Sequence, residues 1–389
     1  MKKSISSILK ENTMIIVLVV VYLFFTWRTN GSMFQPMNFN ALITQNAYVY
    51  ILASGMLMCM LTGGNIDLSC GSFVCLLGAV GSYFMVIRGV NTPVSIILML
   101  CVGIIYGVVL GYLIAYMNIP PWIATLAGYL AFRGLGTAIL SGNSSTGSIS
   151  VKNVEAFLNV FSGKLFSTKL NVLNVPCMTV GVIAAVLVVV LNISSRMTKL
   201  KKGYEADSAL MVLVKSVLEA AVILLVAYKL ALAGGIPTVL VWVVIVVLIY
   251  SFITEKTTIG RHFYVVGGNR EAARLSGVDT RRVMFMAYLK MAVLTVVTTW
   301  AVLARFQAAN STVGTNYEMD AISACVVGGV SAYGGAGRIV GMVVGATLIG
   351  VINLGMSLMN IDANYQKVVK GVVLLGAVAF DILSKKREK

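Results

Sequence analysis

Val94-Ser95-Ile96-Ile97-Leu98-Met99-Leu100-Cys101-Val102-Gly103-Ile104-Ile105-Tyr106-Gly107-Val108-Val109-Leu110-Gly111-Tyr112-Leu113-Ile114-Ala115-Tyr116-Met117 runs on without one charged side chain. A helix needs roughly 20 mostly apolar residues to cross the hydrocarbon core of a bilayer, and this stretch exceeds that. Met14–Trp27, Met178–Ile193, Ile236–Ile253 and Met284–Leu303 are further candidates, somewhat shorter and charged only at Lys290 of the last, while Leu68–Ile87 and Ile339–Met359 are broken by glycine. The whole chain agrees with its parts. It is 58% hydrophobic and 11% charged, where soluble domains carry about 45–50% and about 25%. Too few ionisable groups are present to cover a water-facing surface. The expected fold is an all-α polytopic membrane protein of about 10–12 transmembrane helices.

Charge distribution sets the expected topology. The net charge of +16 could point to a nucleic acid, but the basic residues gather beside span ends. Lys2, Lys3 and Lys10 precede the first span, Arg196, Lys199, Lys201 and Lys202 fill one loop, and Lys385, Lys386, Arg387 and Lys389 end the chain. Lys256, Arg261, Arg270, Arg274, Arg281 and Arg282 fill a second loop, 255–282. Such clusters mark the cytoplasmic side. The loop over 142–176 holds only Lys152, Lys164 and Lys169 with Glu155, and is placed outside. Both termini are expected in the cytoplasm, around a single transmembrane domain over 1–389. The first apolar stretch ends in Trp27-Arg28 without a small-residue cleavage site, so it reads as a retained span.

Spans are predicted near 14–27, 42–61, 68–87, 94–117, 122–141, 177–195, 212–232, 236–254, 284–304, 321–333, 338–358 and 366–384. Those near 212–232 and 236–254 should form a tight hairpin turning at Gly234, Gly235 and Pro237. Broken or re-entrant helices are expected near 63–72 and 321–335, where glycine interrupts the apolar pattern. Val102-Gly103, Met117-Asn118-Ile119 and Gly128 are echoed by Val344-Gly345, Met359-Asn360-Ile361 and Gly371. In this topology the copies would be inverted, an architecture common in transporters; chance likeness between Gly-rich membrane segments is the competing reading.

Two segments carry chemistry. In Gly63-Gly64-Asn65-Ile66-Asp67-Leu68-Ser69-Cys70-Gly71-Ser72 a carboxylate lies beside hydrocarbon. There a charge costs roughly 2.5–3.5 kcal/mol, so it faces a cavity or a partner. Asp67 and Ser69 either cap the following helix or line a path through the membrane. In the second loop, Asn269 can cap a short helix over Arg270–Ser276 that stops at Gly277. Small Ala272 and Ala273 would let another surface approach closely, ringed by Arg270, Glu271 and Arg274. The residues alone leave open a coupling helix and a merely solvated loop. His262 is the only histidine, the six cysteines lie singly, and no pair has metal-ligand spacing. No catalytic residue and no metal site are expected. Gly163-Lys164 is followed by Leu165, so no Walker loop is present either.

The loop 258–279 resembles the EAA coupling loop of permeases of binding-protein-dependent ABC importers, and most closely the ribose, xylose and galactose branch. Gly64–Ser72 fits that branch's Gly-x-Ile-Asp-Leu-Ser-x-Gly-Ser, Ile119–Leu126 its Ile-Pro-Pro-x-Ile-Ala-Thr-Leu, and Tyr317–Ile322 its Tyr-Glu-x-Asp-Ala-Ile. The resemblance covers residues 63–380 and implies a permease subunit of an inner-membrane importer. Its expected partners are a second copy of the chain, a cytoplasmic ABC ATPase holding ATP and Mg, and a periplasmic or lipid-anchored sugar-binding protein. Asn269, Arg270, Glu271, Ala272, Ala273 and Gly277 would form the helix that docks on the ATPase. Asp67, Ser69, Thr125, Glu318 and Asp320 are the candidates for the translocation path; for the last two, the bland alternative is a solvated loop end. A surplus of chain around 196–255, including Lys215 and Glu219 at i,i+4 spacing, resembles the xylose and multiple-monosaccharide subgroup. Xylose, galactose, arabinose or glucose is the implied cargo class. A carrier driven by an ion gradient is the alternative, because intramembrane carboxylates can relay protons.

Overall fold

The computed structural model describes residues 13–204 and 208–387, with side chains as far as residue 379. Lys2, Lys3, Lys10 and Lys389, and the side chains of Lys385, Lys386 and Arg387, lie outside the described residues. In chain order the elements are α1 (Thr13–Arg28), α2 (Pro36–Leu61), α3 (Cys70–Ser82, continued by a π turn over Tyr83–Ile87), α4 (Thr92–Ala115) and α5 (Pro121–Asn143). They continue with β1 (Ser148–Ser150), α6 (Glu155–Phe161), β2 (Lys164–Leu165), α7 (Val175–Lys201), α8 (Ala209–Leu232), β3 (Ile236–Pro237) and α9 (Thr238–Lys256). The last are α10 (Thr258–Gly268), α11 (Arg270–Leu275), α12 (Thr280–Phe306), β4 (Ala308–Asn310), α13 (Tyr317–Val327), α14 (Ile339–Leu358) and α15 (Ala363–Arg387). Among the described residues, nine helices are long and apolar enough to cross a membrane. The remaining predicted spans are also helical, as α1, α13 and α15. The chain is a multi-pass, all-α membrane protein.

The described chain divides into two compact units, one of residues up to Met33, Leu42–Ser162 and from Val239 onward, the other of Phe34–Ala41 and Gly163–Thr238. In the larger unit α4 packs closely on α12. Gly103, Gly107 and Gly111, one helical turn apart, form the seam: a Cβ on each would overlap Val296, Ala292 and Phe285 respectively. Small residues let membrane helices approach backbone to backbone, where lipid offers no hydrophobic drive for association. In α12 the hydroxyls of Thr295, Thr298 and Thr299 return to carbonyls one turn back, at 2.8–2.9 Å, which keeps them satisfied without water. The stretch 142–176, expected as a loop, contains β1, α6 and β2. β1 pairs with β4 just beyond α12, and Phe157 and Phe161 of α6 are buried, Phe161 stacking on Trp242 and meeting Trp300.

In the smaller unit α7 and α8 pack on one another. The turn at Gly234-Gly235, expected to fold 212–232 onto 236–254, is pinned to another segment. β3 pairs with β2, and Lys164 Nζ donates to the Ala233 carbonyl at 2.7 Å. Both glycines have positive φ, which lets the chain reverse. The expected Lys215–Glu219 pair forms at 3.8 Å, and Glu219 also accepts from Asn192 Nδ2 at 2.7 Å.

Both predicted helix breaks are present. Residues 62–69 are irregular between α2 and α3. The predicted span 321–333 is instead the 11-residue α13, which starts earlier and ends at Val327. Gly329, Gly334, Gly335 and Gly337 all have positive φ, so 328–337 cannot continue the helix. The internal echo extends to the backbone. Asn118 after α4 and Asn360 after α14 both take the left-handed conformation, at φ 56° and 55°, and each is followed by a new helix.

Candidate functional site

α3 and α13 start inside the protein with their first turns against each other. A Cβ on Gly71, in the first turn of α3, would overlap both the Glu318 carboxylate of α13 and the Gly314 carbonyl before it. Tyr48, Tyr106 and Arg133 come to this region from within one turn of the midpoints of α2, α4 and α5, helices of 26, 24 and 23 residues. The result is a polar layer midway along the spans. That is where discontinuous helices build binding sites in transporters.

Three buried carboxylates of the layer have different surroundings. Asp67 is 1% exposed and accepts from the Ser69 amide at 2.8 Å and the Ser69 hydroxyl at 2.5 Å. Since that hydroxyl has a single proton, Tyr106 OH must donate to Ser69 Oγ in the contact between them. Asp67 therefore shapes the turn into α3. Asp320 accepts from Tyr48 OH at 2.5 Å and is paired with Lys370 Nζ of α15 at 2.9 Å. Tyr317 stacks on Tyr48 with ring centroids 3.9 Å apart. Glu318 differs: it is 3% exposed, yet its Oε2 has no hydrogen-bond partner. Ser72 Oγ and Arg133 Nη2 are among the other buried atoms without a partner, while Arg133 Nη1 donates to the Ser311 and Val313 carbonyls at 2.8 Å each.

Glu318 and Asp320 are thus interior residues, not a solvated loop end. Thr125 is not brought to the layer. It is buried, but its hydroxyl returns to the Pro121 carbonyl of its own helix at 2.9 Å. It also lies eight residues before Arg133, about 12 Å along the axis at 1.5 Å per residue. Tyr48, Tyr106, Arg133 and Lys370 were missed in the sequence. A lone cation such as Arg133 in an apolar run is the signal that could have found one of them.

The second feature is α11. Asn269 Oδ1 accepts from the Ala272 amide at 2.9 Å, as an N-cap should. At the other end Gly277 has φ +83°, its amide bonds the Arg274 carbonyl, and the Val278 amide bonds the Ala273 carbonyl, each at 3.0 Å. This pair of bonds is a Schellman closure, which needs the left-handed residue that glycine supplies. Glu271 and Arg274 form a two-pronged pair at 2.6 and 3.2 Å on the exposed face. Arg274's hydrogen bonds and charge hold the Glu271 carboxyl below its ordinary 4.5. Arg270, Glu271, Ala272 and Arg274 are exposed, and Leu275 is 78% exposed. Ala273 corrects the expectation that it faces a partner: it is fully buried, and its small side chain lets α11 lie close on its own core. Beside α11 is a cavity of about 320 Å³ lined by Asn65, Asn118, Pro120, Asn269 and Arg270 among others.

A nearly all-helical membrane chain with a capped, solvent-facing helix between two spans matches one known group of proteins over most of its length. The chain belongs to the branched-chain amino acid transport system / permease component family. The match covers residues 38–378. The permease is 32% identical over 376 residues to the xylose transport system permease protein of Escherichia coli K12, covering 96% of this chain and 92% of the other. It is likewise 32% identical to the corresponding xylose permease of Haemophilus influenzae, covering 96% of each. The ribose import permease protein of Bacillus subtilis is 31% identical over 352 residues, 90% of this chain and 87% of the other. No solved structure matches the permease.

Proposed function

We propose that the permease is the membrane subunit of an ATP-driven importer that carries a monosaccharide of the xylose, galactose, arabinose or glucose class across the bacterial inner membrane. The observation that carries this reading is α11. It is a helix too short to be stable alone, yet closed at both ends by dedicated residues and presenting Arg270, Glu271, Ala272, Arg274 and Leu275 to solvent. A separate cytoplasmic ATPase, holding ATP and Mg, grips this face. Two copies of the chain form the pathway, their termini in the cytoplasm, and a periplasmic or lipid-anchored binding protein delivers the sugar. The likeness to xylose and ribose permeases supports the cargo class. The unmatched atoms Glu318 Oε2, Arg133 Nη2 and Ser72 Oγ suit a hydroxyl-rich solute, because each can exchange hydrogen bonds with a sugar once the layer opens. Thr125 has no part in that step.

The test is uptake into proteoliposomes holding the permease with its ATPase and binding protein. Transport should require ATP and persist with a proton ionophore. Buried carboxylates are also what a proton-driven carrier uses, so uptake that continues without ATP and stops with the ionophore would replace this reading by that one.

A further inference from the structure

Three chain segments cross beside α11, with backbone directly on backbone at their glycines. They are 61–64 at the end of α2, 331–337 between α13 and α14, and 264–268 leading into α11. A Cβ on Gly267 would overlap the Leu61 carbonyl and lie 2.6 Å from the Gly335 nitrogen. On Gly335 it would lie 2.8 Å from the Gly268 nitrogen, on Gly334 2.5 Å from the Gly63 nitrogen, and on Gly64 2.9 Å from the Ala332 carbonyl carbon. Two hydrogen bonds fasten the crossing, Gly335 N to Leu61 O at 3.1 Å and Tyr264 OH to Gly337 O at 2.8 Å, while Ser331 N to Ala336 O at 2.8 Å closes the 331–337 segment on itself. Gly64, Gly334 and Gly335 have positive φ as well, so a side chain is excluded there twice over.

We propose that this glycine junction passes movement of α11 to the two broken helices, making Gly334, Gly335 and Tyr264 positioning residues for transport. The proposal rests on the ATP-driven reading above. Side chains between packed elements can repack and absorb a shift, whereas backbone locked on backbone moves as one body. Residue 64 is six residues from the start of α3, and residue 334 is seven beyond the end of α13. A displacement of α11 therefore reaches both helices that start at the Gly71–Glu318 contact.

The test uses the complete complex in proteoliposomes, reading sugar uptake and ATP hydrolysis together. D-xylose, D-ribose, D-galactose, L-arabinose and D-glucose are run on the unaltered complex, and the one it carries is used for the variants. Gly335→Ala should lower sugar carried per ATP about tenfold, with hydrolysis within about twofold of the parent. Gly371→Ala, whose added methyl meets nothing within 4 Å, should leave both unchanged. If Gly335→Ala does not assemble, Tyr264→Phe decides, because it removes one hydroxyl and should lower the ratio about threefold. An unaltered ratio in whichever variant assembles overturns the junction while the ATP-driven reading stands. Uptake by the parent without ATP removes that reading itself.

Discussion

Replacing Lys370 by methionine removes the cation facing Asp320 while keeping most of the side chain's length. At the observed 2.9 Å, two unit charges attract by about 6 kcal/mol at an effective dielectric near 20. Removing both from water offsets most of that gain. The asymmetry of the single change is larger than the pair's net value, because a buried carboxylate is left behind, at a cost of about 3–5 kcal/mol. Two features place this site at the low end. The lysine side chain is 24% exposed against 4% for the aspartate, and Tyr48 OH still donates to Asp320. Lys370→Met should therefore cost about 3 kcal/mol and Asp320→Asn about 2, while the double variant should cost about 2, a coupling of about 3 kcal/mol. Unfolding of the purified permease in one fixed detergent measures all three. Additive costs, or a Lys370→Met variant within about 0.5 kcal/mol of the parent, would show that the two groups do not sustain each other.

Further outcomes follow from other residues. Gly71→Ala should prevent assembly or cost more than about 3 kcal/mol, since its methyl would meet the Gly314 carbonyl and the Glu318 carboxylate; Gly134→Ala, with open space around it, should be tolerated in the same unfolding assay. Asn269→Ala should weaken α11 by about 1 kcal/mol and Asn269→Ser should restore it, read as amide exchange across 270–276. The Glu271–Arg274 pair should give α11 a pH dependence of definite sign. The folded carboxyl lies below its ordinary 4.5, so the pair's contribution is complete above that value and is lost as pH falls through the depressed one. Amide protection of α11, corrected for intrinsic exchange, should thus be level from neutral pH down to the ordinary 4.5 and fall only below it, and Glu271→Gln should abolish that step.

Local features were the most legible in the sequence. Apolar length located each span, since a bilayer demands it whatever the tertiary packing. Asn269 and Gly277 bounded α11 because capping chemistry acts within four residues. Asp67 with Ser69 was recognisable as a turn for the same reason. Long-range partners were not legible: Tyr48 and Asp320 are 272 residues apart, and nothing local ties Arg133 to the carbonyls of 311 and 313. Ala273 was assigned outward because composition does not reveal which side of a short helix faces the core. The charge that marks 255–282 as a loop does not reveal α10 within it. Its buried Gly260, Phe263 and Val266, at three-residue spacing, were the available contrary signal. Gly260 and Gly267 are glycine because backbone passes directly over them.

Accessibility of α11 tests the account most directly. A cysteine placed at Glu271 can be probed with a membrane-impermeant thiol reagent in right-side-out and inside-out vesicles, against the parent chain as background. Labelling only in inside-out vesicles, suppressed when the cognate ATPase is added, is the expected result. Labelling from the periplasmic side, or labelling that the ATPase does not alter, would contradict it.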